Sequence, residues 1–433
     1  MKTFAVHTLG CKVNSYESEA VKLLMLGHGY VYDQNQPDIV IVNTCSVTGM
    51  SAKKSRQAIR RYLQQKEDAI VAVMGCYSQL EPTALFEATG AHVIVGTNNR
   101  QALPQLIETY EKTGQPQVAI ASDNRTWNYE NLEVTAYSDR TRAYVKIQDG
   151  CDNFCSYCII PYARGRLRSR PKEAIFEEIG KLVAHGYKEL VLTGIHTAGY
   201  GRDFKNYSFD DLIEDILTRF PELYRLRISS IEASEITPRF LKLLAREPRL
   251  ARHLHIPLQS GADNVLKAMN RHYASQAFAA KIHEIYTLVP DIAITTDIIV
   301  GFPGETDEDF RQTYELAETL AYAKIHVFPF SKRAGTRAAT LKEEVEAKTI
   351  KGRVDKLLEL SQRLEDRYAA KFIGQTVEVI LEQYDVTKEA YEGHTSNYLK
   401  VFVQGGADLK GAVISCVYRG SDIVVPIEKT IFR

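Results

Sequence analysis

Through the first 137 residues, short apolar runs of strand character alternate with stretches whose apolar positions recur every three to four residues. The strand-like runs are Thr3–Leu9, Asp38–Thr44, Ala69–Gly75 and His92–Gly96, and the helical stretches include Tyr16–Leu26 and Ala52–Gln64. At Met1–Gly10, Phe4, Val6 and Thr8 alternate with Ala5 and His7, which predicts a strand and not a secretory leader. Such alternation of strand and helix predicts an open parallel sheet covered on both faces. Ser122–Ser138 is polar and aperiodic and reads as a linker.

From 138 to 371 the alternation is more regular. Strands are predicted at Ala143–Gln148, Glu189–Thr193, Leu226–Ile231, Leu254–Leu258, Ile292–Val300 and Ile325–Phe330, with helices at Lys172–His185, Asp210–Arg219, Gln276–Leu288 and Glu308–Leu320. Six strand–helix units fall short of the eight that close a barrel, so a partial (βα)6 barrel is expected. A long charged helix, Leu341–Ala370, leads out of it. From 372 to 433 the period changes to two, at Val377, Val379 and Leu381, then through Tyr398–Val403, Val413–Tyr418 and Ile423–Pro426. Glycines punctuate these runs, which predicts a small all-β barrel. The expected fold class is α/β in three domains, 1–137, 138–371 and 372–433.

Composition changes this picture little. The chain is 45% hydrophobic and 25% charged, and no apolar run approaches the roughly 20 residues of a membrane helix, so a cytoplasmic protein with no membrane partner is expected. Lys plus Arg (54) equals Asp plus Glu (54), so nucleic-acid binding would have to come from local patches. Seven cysteines in a chain of this class point to metal binding or catalysis before a disulfide framework.

Three of them lie in Cys151-Asp-Asn-Phe-Cys155-Ser-Tyr-Cys158, directly after the first strand of the central segment. Three thiolates within eight residues suit a cubane cluster and leave its fourth iron without a protein ligand. The amino and carboxylate groups of S-adenosylmethionine can chelate that iron, and an electron can then cleave the sulfonium to a deoxyadenosyl radical. Zinc would need a fourth ligand and more often shows paired C-x-x-C spacing. The sequence resembles the radical S-adenosylmethionine superfamily, whose cluster motif has this spacing. The resemblance places Tyr157 on the adenine and Gly194, in Thr193-Gly194-Ile195-His196, beside the methionine part of the cofactor. It aligns Ile299-Val300-Gly301-Phe302-Pro303-Gly304-Glu305, with Gly301 and Pro303, with the glycine-rich strand near the adenine. Gln259, Asp297 and, ranked below them, His255 lie near strand ends and are candidates for contact with cofactor or substrate; a satisfied polar core is the alternative.

Cys11, Cys45 and Cys76 are far apart in sequence, yet each follows a predicted strand. The carboxyl ends of adjacent parallel strands converge on one crevice, where three thiolates can hold a second cluster with an open iron. Three unrelated buried cysteines are the alternative. The pairing of cysteine sets, with Leu9-Gly10-Cys11-Lys12-Val13-Asn14, Asn43-Thr44-Cys45, Gly75-Cys76, His255-Ile256-Pro257-Leu258-Gln259-Ser260-Gly261 and Ser331-Lys332-Arg333-Ala334-Gly335-Thr336, resembles the methylthiotransferase family over nearly the whole chain. Gly-Cys-Lys-Val-Asn is similar to the group acting on threonylcarbamoyladenosine beside the tRNA anticodon, and the carboxyl-terminal segment resembles the RNA-binding TRAM domain.

The resemblance implies two 4Fe–4S clusters, S-adenosylmethionine, a tRNA anticodon stem-loop, a sulfur source, and an electron donor such as flavodoxin or ferredoxin. The implied reaction replaces the hydrogen on carbon 2 of the adenine by a methylthio group. Arg333 and Arg337 are candidates for a bidentate grip on the threonylcarbamoyl carboxylate, with surface roles as the alternative. Arg164, Arg166, Arg168 and Arg170, after the central cysteines, are read as phosphate contacts; Lys53, Lys54, Arg56, Arg60 and Arg61 form a second basic run. The segment from Lys371 to Arg433 holds seven Lys/Arg and eight Asp/Glu, so its RNA role rests on resemblance alone. Cys416 is read as structural. Competing functions are methylthiolation of isopentenyladenosine tRNA or of a ribosomal protein, a radical enzyme with an electron-relay cluster, and an RNA-binding redox sensor.

Overall fold

The computed structural model describes residues 1–433 except 66–67, 122–125, 138–139, 407–408 and 433. The amino-terminal sheet is wholly parallel, in the order Val31–Tyr32, Thr3–Thr8, Ile39–Thr44, Ile70–Gly75, Val93–Val95, Gln117–Ala119. Ile39–Thr44 and Ile70–Gly75 are buried along their whole length. One face, with Ile41 and Ala72, joins the main core, and the other, with Val40, Val42, Val71 and Val73, packs under the helix Gly49–Gln65. The two edge strands escape a periodicity argument because two or three residues establish no period.

The central domain has the six expected parallel strands: Arg142–Lys146, Glu189–Thr193, Arg225–Ile228, His253–His255, Ala293–Val300 and Lys324–Pro329. They form two three-stranded sheets, joined where the Ile231 amide donates to the His255 carbonyl at 3.0 Å. Along these strands Leu190, Leu192, Leu226, Ile228, Leu254, Ile294 and Ile298 turn outward into the core beneath the helices. Their alternates, Arg142, Glu189, Arg227, His253, His255, Thr295 and Asp297, line a polar interior. Lys324, His326 and Phe328 of the last strand are exposed, so the partial barrel is open along that edge.

The amino-terminal domain lies against this barrel. Tyr16 on helix Lys12–Gly27 donates to Glu178 at 2.8 Å, and the Gly49 amide donates to Ser331 Oγ at 3.0 Å. The expected linker has no regular element over its described part, 126–137, but it is packed: Leu132, Val134 and Tyr137 are buried. Residues 122–125 and 138 fall outside the described residues. The long helix begins at Ala347, later than expected, because the Gly304 amide engages the Glu343 carbonyl and keeps 341–346 irregular.

The carboxyl-terminal domain is a curled six-stranded half-barrel in the order Val424–Val425, Lys400–Gln404, Ala390–Thr395, Thr376–Asp385, Val413–Val417, Lys429–Phe432. It seals the amino-terminal ends of the barrel strands. Arg142 donates to Tyr398 Oη at 2.7 Å and to Glu382 at 2.8 Å, and Arg227 donates to the Thr395 and Ser396 carbonyls. Cys416 is buried in its core, where burial pushes the thiol up to about 11. No helix among the described residues is long and apolar enough to cross a membrane.

Candidate metal and cofactor site

The loop Cys151–Cys158 is fixed almost entirely by backbone bonds. Gly150 has φ +71°, and a Cβ there would sit 1.9 Å from the Arg166 carbonyl oxygen, so only glycine fits. Cys151 N donates to Gly165 O at 3.1 Å, Cys158 N to Cys155 O at 2.9 Å, and Ser156 N to Met269 O at 2.9 Å. Asn270 Nδ2 holds the carbonyls of Asn153 (3.2 Å) and Phe154 (3.1 Å). The three side chains stay half-buried on a preset loop.

The thiols show what this loop lacks by itself. Burial, aided by the neighbouring Cys155 and Cys151, pushes Cys158 up to about 12, and burial raises Cys155 as well. Buried thiolates this close together need positive charge, which iron supplies. Among the described residues no three His, Cys, Asp or Glu converge tightly enough for a single ion. A cubane binds its thiolates on separate irons, and three thiols near enough for Cys151 and Cys155 to raise Cys158 are the donor set it takes.

The amino-terminal cysteines also converge. The register pairs Thr8 with Asn43 and Thr44 with Gly75, which sets the three strand ends level. Cys11 caps helix Lys12–Gly27, and Cys76 opens helix Cys76–Leu80. Asn14 donates to the Leu9 carbonyl at 2.7 Å and the Thr44 carbonyl at 3.1 Å, stitching two of the cysteine loops together. Burial, with repulsion from Cys45 and Cys11, raises Cys76 to about 12 against the pull of Arg164. Gly75 has φ +108°, and a Cβ would meet the Thr44 carbonyl oxygen at 2.5 Å. Gly75→Ala is therefore expected to cost about 1–3 kcal/mol of stability and to displace Cys76, read as a lower melting temperature and fewer irons bound.

Arg164 ties Cys76 to Asp149, two residues ahead of Cys151. Its Nε donates to Cys76 Sγ at 3.3 Å, and its Nη1 to Glu17 at 2.7 Å and Asp149 at 3.2 Å. Lys146 bridges the same carboxylates at 2.7 Å each, Arg100 binds Glu17 at 2.8 Å, and Arg168 approaches Asp149 at 3.4 Å. This corrects the reading of the arginine run as an RNA contact. Arg164, Arg168 and Arg170 are buried in ion pairs, Arg170 with Glu178 at 3.0 Å, and only Arg166 is exposed. The sequence carried no signal for Glu17, Arg100, Lys146 or Asp149, because their partners are up to 147 residues away.

The expected cofactor residues fall in two groups. Tyr157 packs against the apolar cluster that holds Met269 and Phe302, the residue between Gly301 and Pro303. Gly301 itself is required by the fold: its φ is +74°, and a Cβ would lie 2.5 Å from Ile350. A Cβ on Gly194 would lie 2.8 Å from Gln148 Oε1, the atom that accepts the His196 amide at 2.8 Å. Within the barrel, the Gln259 amide donates to the Asp297 carbonyl at 2.8 Å, and Asp297 Oδ2 lies 3.2 Å from His255 Nε2. Arg333 is buried, with Glu81 3.7 Å away and its Nε without a partner among the described residues, whereas Arg337 is exposed. Lys53, Lys54, Arg60 and Arg61 lie exposed on helix Gly49–Gln65, which contains no acidic residue.

Residues 145–317 match the family model described as the radical SAM superfamily, and residues 3–96 match one described as uncharacterized protein family UPF0004. The chain is 43% identical over 96% of its length to the threonylcarbamoyladenosine tRNA methylthiotransferase MtaB of Bacillus subtilis, covering 93% of that protein. It is 38% identical to the protein of that name from Thermotoga maritima (92% of this chain, 91% of that one). It is 34% identical to the tRNA-2-methylthio-N(6)-dimethylallyladenosine synthase of Carboxydothermus hydrogenoformans (95% and 96%). Among solved structures, the radical S-adenosylmethionine methyltransferase TsrM of Kitasatospora setae shares the fold, with TM-score 0.57 and 17% identity over 76% of this chain and 73% of that one. Partial barrel and three-cysteine loop together define a radical S-adenosylmethionine enzyme. Within that class, the chain belongs to the methylthiotransferase family.

Proposed function

We propose that this enzyme adds a methylthio group to carbon 2 of threonylcarbamoyladenosine next to the anticodon of tRNA, using two 4Fe–4S clusters and S-adenosylmethionine. The observation that carries the reading is the convergence of Cys11, Cys45 and Cys76, with Arg164, six residues after Cys158, reaching from the central domain to Cys76 and to Asp149 ahead of the central cysteine loop. When bound, the central cluster supplies the electron that cleaves S-adenosylmethionine and so starts a radical reaction at a C–H bond that acid–base chemistry cannot reach. A second set of three thiolates has no part in that cleavage; it suits an iron that holds the sulfur to be transferred.

The chain's own residues support a polar substrate. The barrel interior presents His255 and Asp297 beside the open edge Lys324–Pro329, where an isopentenyl substrate would call for an apolar slot. Arg333 sits near Glu81, with a buried Nε that has no partner among the described residues, which suits a carboxylate better than exposed Arg337 does. The exposed cations of helix Gly49–Gln65 suit phosphates. The relatives 43% and 38% identical carry the threonylcarbamoyladenosine name, and the one 34% identical carries the dimethylallyladenosine name. The test is mass spectrometry of tRNA nucleosides from a deletion strain, and from tRNA treated with the anaerobically reconstituted enzyme. The methylthio derivative of threonylcarbamoyladenosine is expected to vanish in the first and appear in the second, with the isopentenyl counterpart unchanged. The reverse pattern would overturn the substrate. In the same assay Arg333→Gln is expected to raise the apparent KM for threonylcarbamoyl stem-loops about tenfold or more, the equivalent of about 1.4 kcal/mol.

A further inference from the structure

We propose that Arg271 and Glu232 act as an opposed pair that sets the reduction potential of the central cluster. Arg271 Nη1 donates to Cys155 Sγ at 3.4 Å, Nη2 donates to the Glu232 carboxylate, and Nε donates to Tyr273 Oη at 3.2 Å. The arginine side chain is 5% exposed. Its position is imposed by three elements. The Arg271 amide donates to the Leu266 carbonyl at 2.9 Å, just after the helix Asp263–Ala268. Its neighbour Asn270, at φ +58°, clamps the cysteine loop. Tyr273 is tied to the Leu258 carbonyl at 2.7 Å. Glu232 arrives separately, on the loop after strand Arg225–Ile228. Cys155, Arg271 and Glu232 line a cavity of about 240 Å³ together with Arg202, Glu235 and His272.

Reduction adds one electron to the cluster and makes and breaks no bond in the protein. A buried cation and an N–H donor on a ligand sulfur stabilise the added negative charge and raise the potential. A carboxylate on the far side of the same guanidinium offsets that cation and lowers the potential. The two residues therefore push in opposite directions, although they make one ion pair. A pair that merely held the loop would give loss of order when either member was changed, with no difference in sign.

The experiment uses the full chain, anaerobically reconstituted, with Cys11, Cys45 and Cys76 changed to alanine so that only the central cluster contributes. Electron paramagnetic resonance is followed during titration with dithionite. Arg271→Met is expected to lower the reduced-to-oxidised ratio at a fixed potential roughly tenfold, a shift of about 59 mV for one electron, and Arg271→Lys to recover part of it. Glu232→Gln is expected to move the midpoint upward. Unchanged potential in Arg271→Met at full iron content, or a downward shift in Glu232→Gln, overturns the proposal. Should Arg271→Met lose iron, Glu232→Gln decides: an upward shift supports the pair, and no shift overturns it. The outcome is independent of which nucleoside is modified.

Discussion

Cys76→Ala is expected to abolish formation of methylthiolated nucleoside while S-adenosylmethionine cleavage stays measurable. The loss of product should be on the order of 10³-fold or more, about 4 kcal/mol of transition-state free energy. Cys76 is buried at the first turn of a short helix, and alanine removes one sulfur without reshaping the backbone. The central loop does not depend on it, since that loop is held by its own backbone bonds and by Asn270. Cys158→Ala should behave differently and eliminate both deoxyadenosine and product. Deoxyadenosine and modified nucleoside measured in one chromatogram separate the two variants. Product recovered from Cys76→Ala with a strong reductant would assign the amino-terminal cysteines to electron relay and remove sulfur transfer from them.

Arg164→Met should be among the most destabilising substitutions in the chain. The guanidinium is fully buried and donates to Glu17, Asp149, Asn14 and Cys76, and its removal leaves those buried acceptors short of a donor and opens a cavity among them, even though Lys146, Arg100 and Arg168 still face the carboxylates. A cost of about 3–5 kcal/mol is expected, read as a lowered melting temperature and as looser docking of the amino-terminal domain in limited proteolysis. The network also predicts an acid limit. Burial alone would raise the Glu17 carboxyl, but Arg100, Arg164 and Lys146 outweigh it and hold it at about 2, below its ordinary 4.5. A depressed folded value contributes stability above the ordinary value and loses it as pH falls toward the folded one. The melting temperature of the wild type should therefore fall more steeply between about pH 5 and pH 2 than that of Glu17→Gln, which carries no titrating group there. Parallel curves for the two would sink the assignment.

Much of the architecture was legible because each domain announces its own period. Strands such as Ile39–Thr44 and Glu189–Thr193 read directly, since burial on both faces selects continuous apolar runs. The same holds for the central cysteines, whose ligands are packed into eight residues. The amino-terminal cysteines were legible only as equivalent strand ends, and the register then brought them level. The arginine run misled for a definite reason. Clustered cations in sequence imply a basic surface only if their partners are solvent, and here the partners are Glu17, Asp149 and Glu178, supplied by other elements.

By itself the amino-acid sequence determined the order of the three domains, the parallel character of the first two, and the placing of six cysteines after strands that end on the same side of their sheets. These are properties of local period and local spacing, which a chain carries before it folds. Tertiary structure alone decided the buried network that ties Cys76 to Asp149, the buried Nε of Arg333, the polar interior left open at Lys324–Pro329, and the guanidinium placed on Cys155. Each of these depends on charges from distant segments meeting where water is excluded. Such meetings are set by packing and leave no trace in the spacing of residues along the chain.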